Sequence, residues 1–181
     1  MSKPSEIVAG RSCVKCTLCC KLMEVRDLGK DDGVWCKHVL QGRGCGIYQT
    51  RPESCRTFLC GWISTEALDE AWYPGRSKLI LVSKEAGITA LVDPSRADVW
   101  REEPYYSQLK AWARAYTPKG MIVLVKIGLR AIVLLPDEDV DLGTVNRSDD
   151  VFVDIIPGPG GNRYRVVHER PTGPAADKVE A

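Results

Sequence analysis

All eight cysteines of this 181-residue chain lie between positions 13 and 60, and none follows. Cys13, Cys16, Cys19 and Cys20 form a C-x-x-C-x-x-C-C run, and Cys36, Cys45, Cys55 and Cys60 come after it. A segment so crowded with soft donors is not built like an ordinary core. Thiolate is the ligand that zinc and iron–sulfur clusters prefer. Two-residue gaps let a tight turn bring successive sulfurs onto one centre. All eight cysteines are therefore candidate metal ligands, for an iron–sulfur cluster or for Zn2+.

Spacing alone leaves the metal open. A structural zinc site takes four sulfurs in a tetrahedron, usually as two close pairs, so eight cysteines suffice for two sites. A cubane iron–sulfur cluster commonly takes three sulfurs from a C-x-x-C-x-x-C loop and a fourth from a distant position. Cys13, Cys16 and Cys19 fit such a loop, with Cys45, Cys55 or Cys60 as the remote ligand. Cys20 is the awkward member. Neighbouring residues rarely aim both sulfurs at one ion, so Cys20 argues for a second centre or a reserve thiol. His38, two residues after Cys36, is a possible nitrogen ligand, whereas His168 reads as structural. Arg51 and Arg56 flank Cys55, where a guanidinium would offset the negative charge of a thiolate site. Trp35, Phe58 and Trp62 read either as an apolar shell around the site or simply as core.

Composition narrows the remaining classes. With 44% apolar residues and a formal charge of +1, the chain has enough material for an ordinary core, so the cysteines are not needed to rescue a tiny fold. Ten basic and six acidic residues precede Gly61; fifteen and eighteen follow. No basic stripe with interleaved aromatics appears, so no nucleic-acid partner is expected. The opening residues lack the apolar core of an export signal. The most apolar stretch, Met121 to Leu135, is too short and too interrupted to span a bilayer as a helix. No membrane association is expected, and the reading is cytoplasmic. In that compartment thiols stay reduced, which favours metal over disulfides. No glycine-rich phosphate loop and no Ser/His/Asp set can be nominated, so no catalytic residue is assigned.

The pattern of elements predicts an α+β fold: a cysteine-rich metal-binding module with short helices, followed by a mostly antiparallel sheet with one packed helix. The module covers residues 1–76, the α+β part 77–168 (or the two form one fused unit), and a disordered tail 169–181. Within the module, Pro52 suits the first position of a short helix carrying Cys55, and Thr65 to Ala71 reads as helical with Ser64 or Thr65 as N-cap. Beyond it, Leu79–Ser83 with Ile88–Asp93, Met121–Lys126 with Leu129–Leu135, and Val151–Ile156 with Tyr164–Val167 read as three strand pairs. Pro104 to Tyr116 has helical spacing. The order is β-β-α-β-β-β-β. Glu102, Glu103, Asp137, Glu138 and Asp139 fall in apparent turns and read as solvated.

Taken together, the C-x-x-C-x-x-C-C run, Cys36, and the register Gly44-Cys45-x-Ile47-Tyr48-x-x-Arg51-Pro52-x-x-Cys55-Arg56-x-Phe58-x-Cys60 resemble the YkgJ-like CxxCxxCC family of bacterial proteins, described as zinc- or iron-chelating. The match covers roughly residues 13–62. The resemblance implies chelation by the cysteine set and leaves the biochemical role open. A similar cluster is associated with flagellin lysine methylases, but no S-adenosylmethionine loop is recognisable here, so no methylase activity is carried over. The expected function is metal chelation, with an unidentified protein partner for the α+β face; the alternative is an iron–sulfur redox or enzyme-accessory role.

Overall fold

The computed structural model describes residues 7–170. Its first part is a chain of short pieces: α1 (Cys19–Leu22), a two-residue hairpin of β1 (Val39–Leu40) and β2 (Gly44–Cys45), α2 (Glu53–Thr57), α3 (Gly61–Ser64) and α4 (Pro74–Ser77). The second part is regular. Strands β3 (Leu79–Lys84), β4 (Gly87–Val92), β5 (Ile122–Ile127), β6 (Arg130–Leu134) and β7 (Asp139–Thr144) form one sheet in that order, and β8 (Asp150–Ile156) and β9 (Arg163–Glu169) form a separate ribbon. The fold is α+β.

All neighbours in the large sheet are antiparallel except β4 and β5, which run parallel. A parallel pair needs a long crossover, and α5 (Tyr105–Tyr116) supplies it. Tyr105, Leu109 and Ala113 recur one turn apart on α5 and are buried. They meet Val123 and Val125 of β5 in a core that also holds Trp72, Trp100 and Ile132. Alternation along β5 sends Ile122 and Leu124 to the opposite face. There the ribbon covers the sheet, with Val151, Val153, Tyr164 and Val166 against Val133 and Leu135.

The cysteine-bearing part joins the first core directly. Trp62 and Ile63 of α3 are buried in it, and Cys13 and Cys60 pack on its edge. The Lys21 ammonium of α1 donates to the Asp93 carboxylate just after β4, at 2.7 Å. Arg147, before β8, donates to Glu24 at 2.5 Å and to Asp32 at 2.6 Å.

Five expectations need correction. The helix over Thr65 to Ala71 does not form. Arg11 donates to the carbonyls of Trp62, Thr65, Glu66 and Leu68, satisfying groups that helical turns would otherwise use. What remains is one 3-10 turn, Glu70–Trp72, capped by Asp69, whose side chain accepts the Ala71 N–H. Pro52 stands just before α2, and its carbonyl accepts from Cys55 and Arg56. An eighth element of the second part, β7, lies in Asp139–Thr144. Its first residue, Asp139, is not solvated: it pairs with the buried Lys110 at 3.1 Å and accepts from the Tyr106 hydroxyl at 3.0 Å. Finally, Glu169 belongs to β9 rather than to a tail; residues 171–181 of the expected tail lie outside the described residues. Among the described residues no helix is long and apolar enough to cross a membrane.

Candidate metal centre

The cysteine run folds as a turn leading into a helix. The Cys16 N–H donates to the Cys13 carbonyl at 3.2 Å, and Cys19 and Cys20 open α1 over the buried Leu18. The chain then loops back. Val25 and Lys30 exchange backbone bonds, and the Lys30 ammonium, itself buried, donates to the Lys21 carbonyl at 3.0 Å and to that of Met23. This return brings the Cys36 N–H onto the Cys20 carbonyl at 2.9 Å.

The β1–β2 hairpin then sets Cys45 opposite Val39. It sits hard against the first turn, because a Cβ on Gly44 would fall 1.9 Å from the Val14 carbonyl oxygen, and φ there is +105°. Only glycine meets both conditions. Past the hairpin, Arg51 lies over the Tyr48 ring at 3.7 Å and donates to the Tyr48 carbonyl. Cys55 rides on α2, and Cys60 is the residue preceding α3.

These separate devices converge. All eight cysteines are free thiols, and all eight line one cavity of about 110 Å3. Apolar walls come from Met23, Leu28, Ile47, Phe58, Ile63 and Ile80. Cys36 is buried and the other seven are half-buried. No three His, Cys, Asp or Glu side chains among the described residues form a set that could hold one metal ion. The thiols thus ring a space and do not close on a point. A tetrahedral zinc site with Zn–S near 2.3 Å needs sulfurs about 3.8 Å from one another. The donor chemistry fits a thiophilic centre; the open arrangement fits a bulky one.

Electrostatics inside the cavity are uneven. Burial pushes the Cys16 and Cys60 thiols up. The Leu18 N–H eases this at Cys16, and the N–H groups of Ile63 and Trp62 at the start of α3 ease it at Cys60. The hydrogen bond between Cys19 and Cys20 splits that pair, holding Cys19 protonated and lowering Cys20 to about 7. Lys30 and Arg51 add to the lowering of Cys20. The Cys13 sulfur lies 3.6 Å from the Tyr48 hydroxyl.

Of the other sequence candidates, Arg51 and Phe58 line the cavity, and Arg56, His38 and Trp35 do not. Arg56 and Trp35 are exposed. His38 contributes its carbonyl to the Gly46 N–H at 2.8 Å. Trp62 belongs to the sheet core. His168 meets Asp149 at 2.8 Å on the ribbon side. Lys30 was not anticipated. It stands in a polar turn beside Asp31 and Asp32; only the fold reveals that its ammonium is buried and held by the Lys21 and Met23 carbonyls. No family model, curated protein or solved structure matches the chain.

Proposed function

We propose that this protein chelates an inorganic centre through its eight cysteines, and that an iron–sulfur cluster suits the cavity better than a lone zinc ion. The observation that carries the reading is the convergence of every thiol in the chain on one cavity. Sulfurs drawn from five stretches of sequence have no reason to meet around a space unless something occupies it. The size of that space favours a cluster. About 110 Å3 is several times the 10–15 Å3 that holds one water, and a zinc ion among four sulfurs needs less. The resemblance to the CxxCxxCC family points to the same chemistry. A cytoplasmic setting, which keeps thiols reduced, fits it as well.

A bound cluster would supply one-electron transfer, or a structural brace, at the edge of the sheet. The chain's own part is to present thiolates, exclude water with Ile47, Phe58 and Ile80, and balance charge with Lys30 and Arg51. The sheet side of the molecule would then be free to meet a protein partner. The test is anaerobic purification followed by iron, zinc and acid-labile sulfide analysis with a visible spectrum. Brown protein containing iron and sulfide is the expected result. Colourless protein with stoichiometric zinc would keep chelation and remove the redox role. Metal-free protein with eight freely titrating thiols, after an attempt to load either metal, would overturn chelation.

A further inference from the structure

We propose that the outer face of the first cysteine turn and the β1–β2 hairpin is a docking surface for an electron-carrier protein with an acidic face. This rests on the cluster reading above and names the partner of that centre, at a face separate from the sheet side.

The surface follows from how the thiols are spaced. Val14 and Lys15 stand between Cys13 and Cys16, Lys37 follows Cys36, and Arg43 comes two residues before Cys45. These four cysteines line the cavity, whereas Val14, Lys15, Lys37 and Arg43 are exposed. The chain that presents the thiols inward thus presents other groups outward.

Contacts join these stretches into one patch. The hairpin lies against the first turn, where a Cβ on Gly44 would come 3.7 Å from the Lys15 Cα. Leu40 pairs with Gly44 across the hairpin. The Arg43 N–H donates to the Leu40 carbonyl at 2.9 Å, a turn that keeps their Cα atoms within about 7 Å. Lys37 stands three residues before Leu40, at most about 10 Å away along the chain.

The chemistry of the patch is that of a small protein interface. Val14 is 44% exposed and Leu40 50%. Seven large apolar side chains are exposed among the described residues, and four of them are Val14, Val34, Trp35 and Leu40. Exposed apolar groups gathered in one place with a charged rim mark a docking site. The rim carries one sign. Lys15, Lys37 and Arg43 form no ion pair among the described residues. Of the four carboxylates between Cys20 and Cys36, Glu24 and Asp32 are drawn to Arg147 and Asp27 accepts from Ser54, which leaves only Asp31 without such a partner. Uncompensated cations select a partner face of opposite charge. A patch this small suits the brief encounters of electron carriers, not a lasting complex. In the encounter the reduced centre loses one electron and the carrier gains it; no bond forms or breaks.

The test uses the full chain, loaded with iron and sulfide and reduced anaerobically. Stopped-flow follows its oxidation by two small probes of opposite charge, ferricyanide and tris(phenanthroline)cobalt(III). Calorimetry follows the binding of two probe proteins, an acidic flavodoxin and a basic cytochrome c. From low to high salt the ferricyanide rate should fall about tenfold, and the cobalt rate should rise. Flavodoxin should bind at low salt, and cytochrome c should not. The double variant Lys15→Glu/Arg43→Glu should reverse both salt trends at unchanged iron per chain. Leu40→Ser should weaken flavodoxin binding several-fold and leave the ferricyanide trend alone. The salt trends of wild type need no variant, so a variant that loses iron does not decide the matter. A ferricyanide rate that is flat or rises with salt, or cytochrome c binding as well as flavodoxin, would overturn the docking surface while the cluster stands. Zinc or no metal in place of iron would overturn the cluster reading, and the electron-carrier partner with it.

Discussion

The two halves of this molecule are held together by different means. From Leu79 onward, strands of five to seven residues and a twelve-residue helix enclose cores whose members are almost fully buried. Between residues 13 and 60 no helix exceeds five residues, the strands have two, and only Leu18, Val25 and Cys36 are buried apolar side chains. Helices that short are marginal in water, and so few buried apolar groups cannot offset the entropy of ordering that much chain. The sheet half is a product of hydrophobic burial. The cysteine half has the shape of a mould, and on the present account the missing cohesion comes from sulfur ligation, which couples metal binding to folding.

The largest effect expected from a single substitution tests the first half of that contrast. Leu109 is completely buried at the centre of α5. Leu109→Ala should cost about 2–5 kcal/mol in urea unfolding of the sheet, with metal per folded chain unchanged. Loss of metal at full stability would break the contrast.

A pair of glycines sharpens it. Gly44 and Gly87 have the same defect toward substitution: positive φ, and a Cβ position 1.9 Å from a backbone oxygen, of Val14 and Ile122 respectively. Each alanine should cost about 1–3 kcal/mol locally. Gly87→Ala, where β4 meets β5, should lower the sheet's unfolding midpoint and leave metal content alone. Gly44→Ala should lower metal content, because it pushes the Cys45 hairpin off the first turn, and should leave the sheet's midpoint in place. Indistinguishable behaviour of the two would mean the halves are one cooperative unit.

A smaller effect comes from the ion pair that joins the halves. Burial alone would raise the Asp93 carboxyl, but the Lys21 ammonium and the Ser95 N–H outweigh it and hold the group below its ordinary value. A depressed folded value means that the pair stabilises above the unfolded carboxyl's pKa, near 3.9. That stability is lost as pH falls through the lower folded value. Lys21→Met should therefore cost about 1–3 kcal/mol at pH 7 in metal-free protein, and the gap from wild type should narrow toward pH 3. An unchanged gap would show that Lys21 acts through packing, not charge.

Much of this was legible in the sequence, for identifiable reasons. The β3–β4 and β5–β6 hairpins, α5 and the ribbon carry strong period-two or helical patterns, and each is present. The parallel β4–β5 pairing was not legible, since periodicity does not say how strands pair. Strand β7 hid because Asp139, Asp141 and Gly143 alternate with only two apolar residues, Val140 and Leu142. The helix predicted over Thr65 to Ala71 failed because a long-range partner, Arg11, captures its carbonyls. In the site, ligand-like spacing identified every thiol that lines the cavity. Lys30 escaped notice because burial of a lone lysine depends on a fold that brings distant carbonyls to it.

The most direct measurement is amide hydrogen exchange on metal-loaded protein before and after chelation. Peptides spanning residues 13–60 should lose their protection when the metal leaves, while those covering Leu79–Val92 and Ile122–Leu134 should keep theirs. Protection across residues 13–60 that is the same with and without metal would contradict it, because the short elements there would then be standing without ligation.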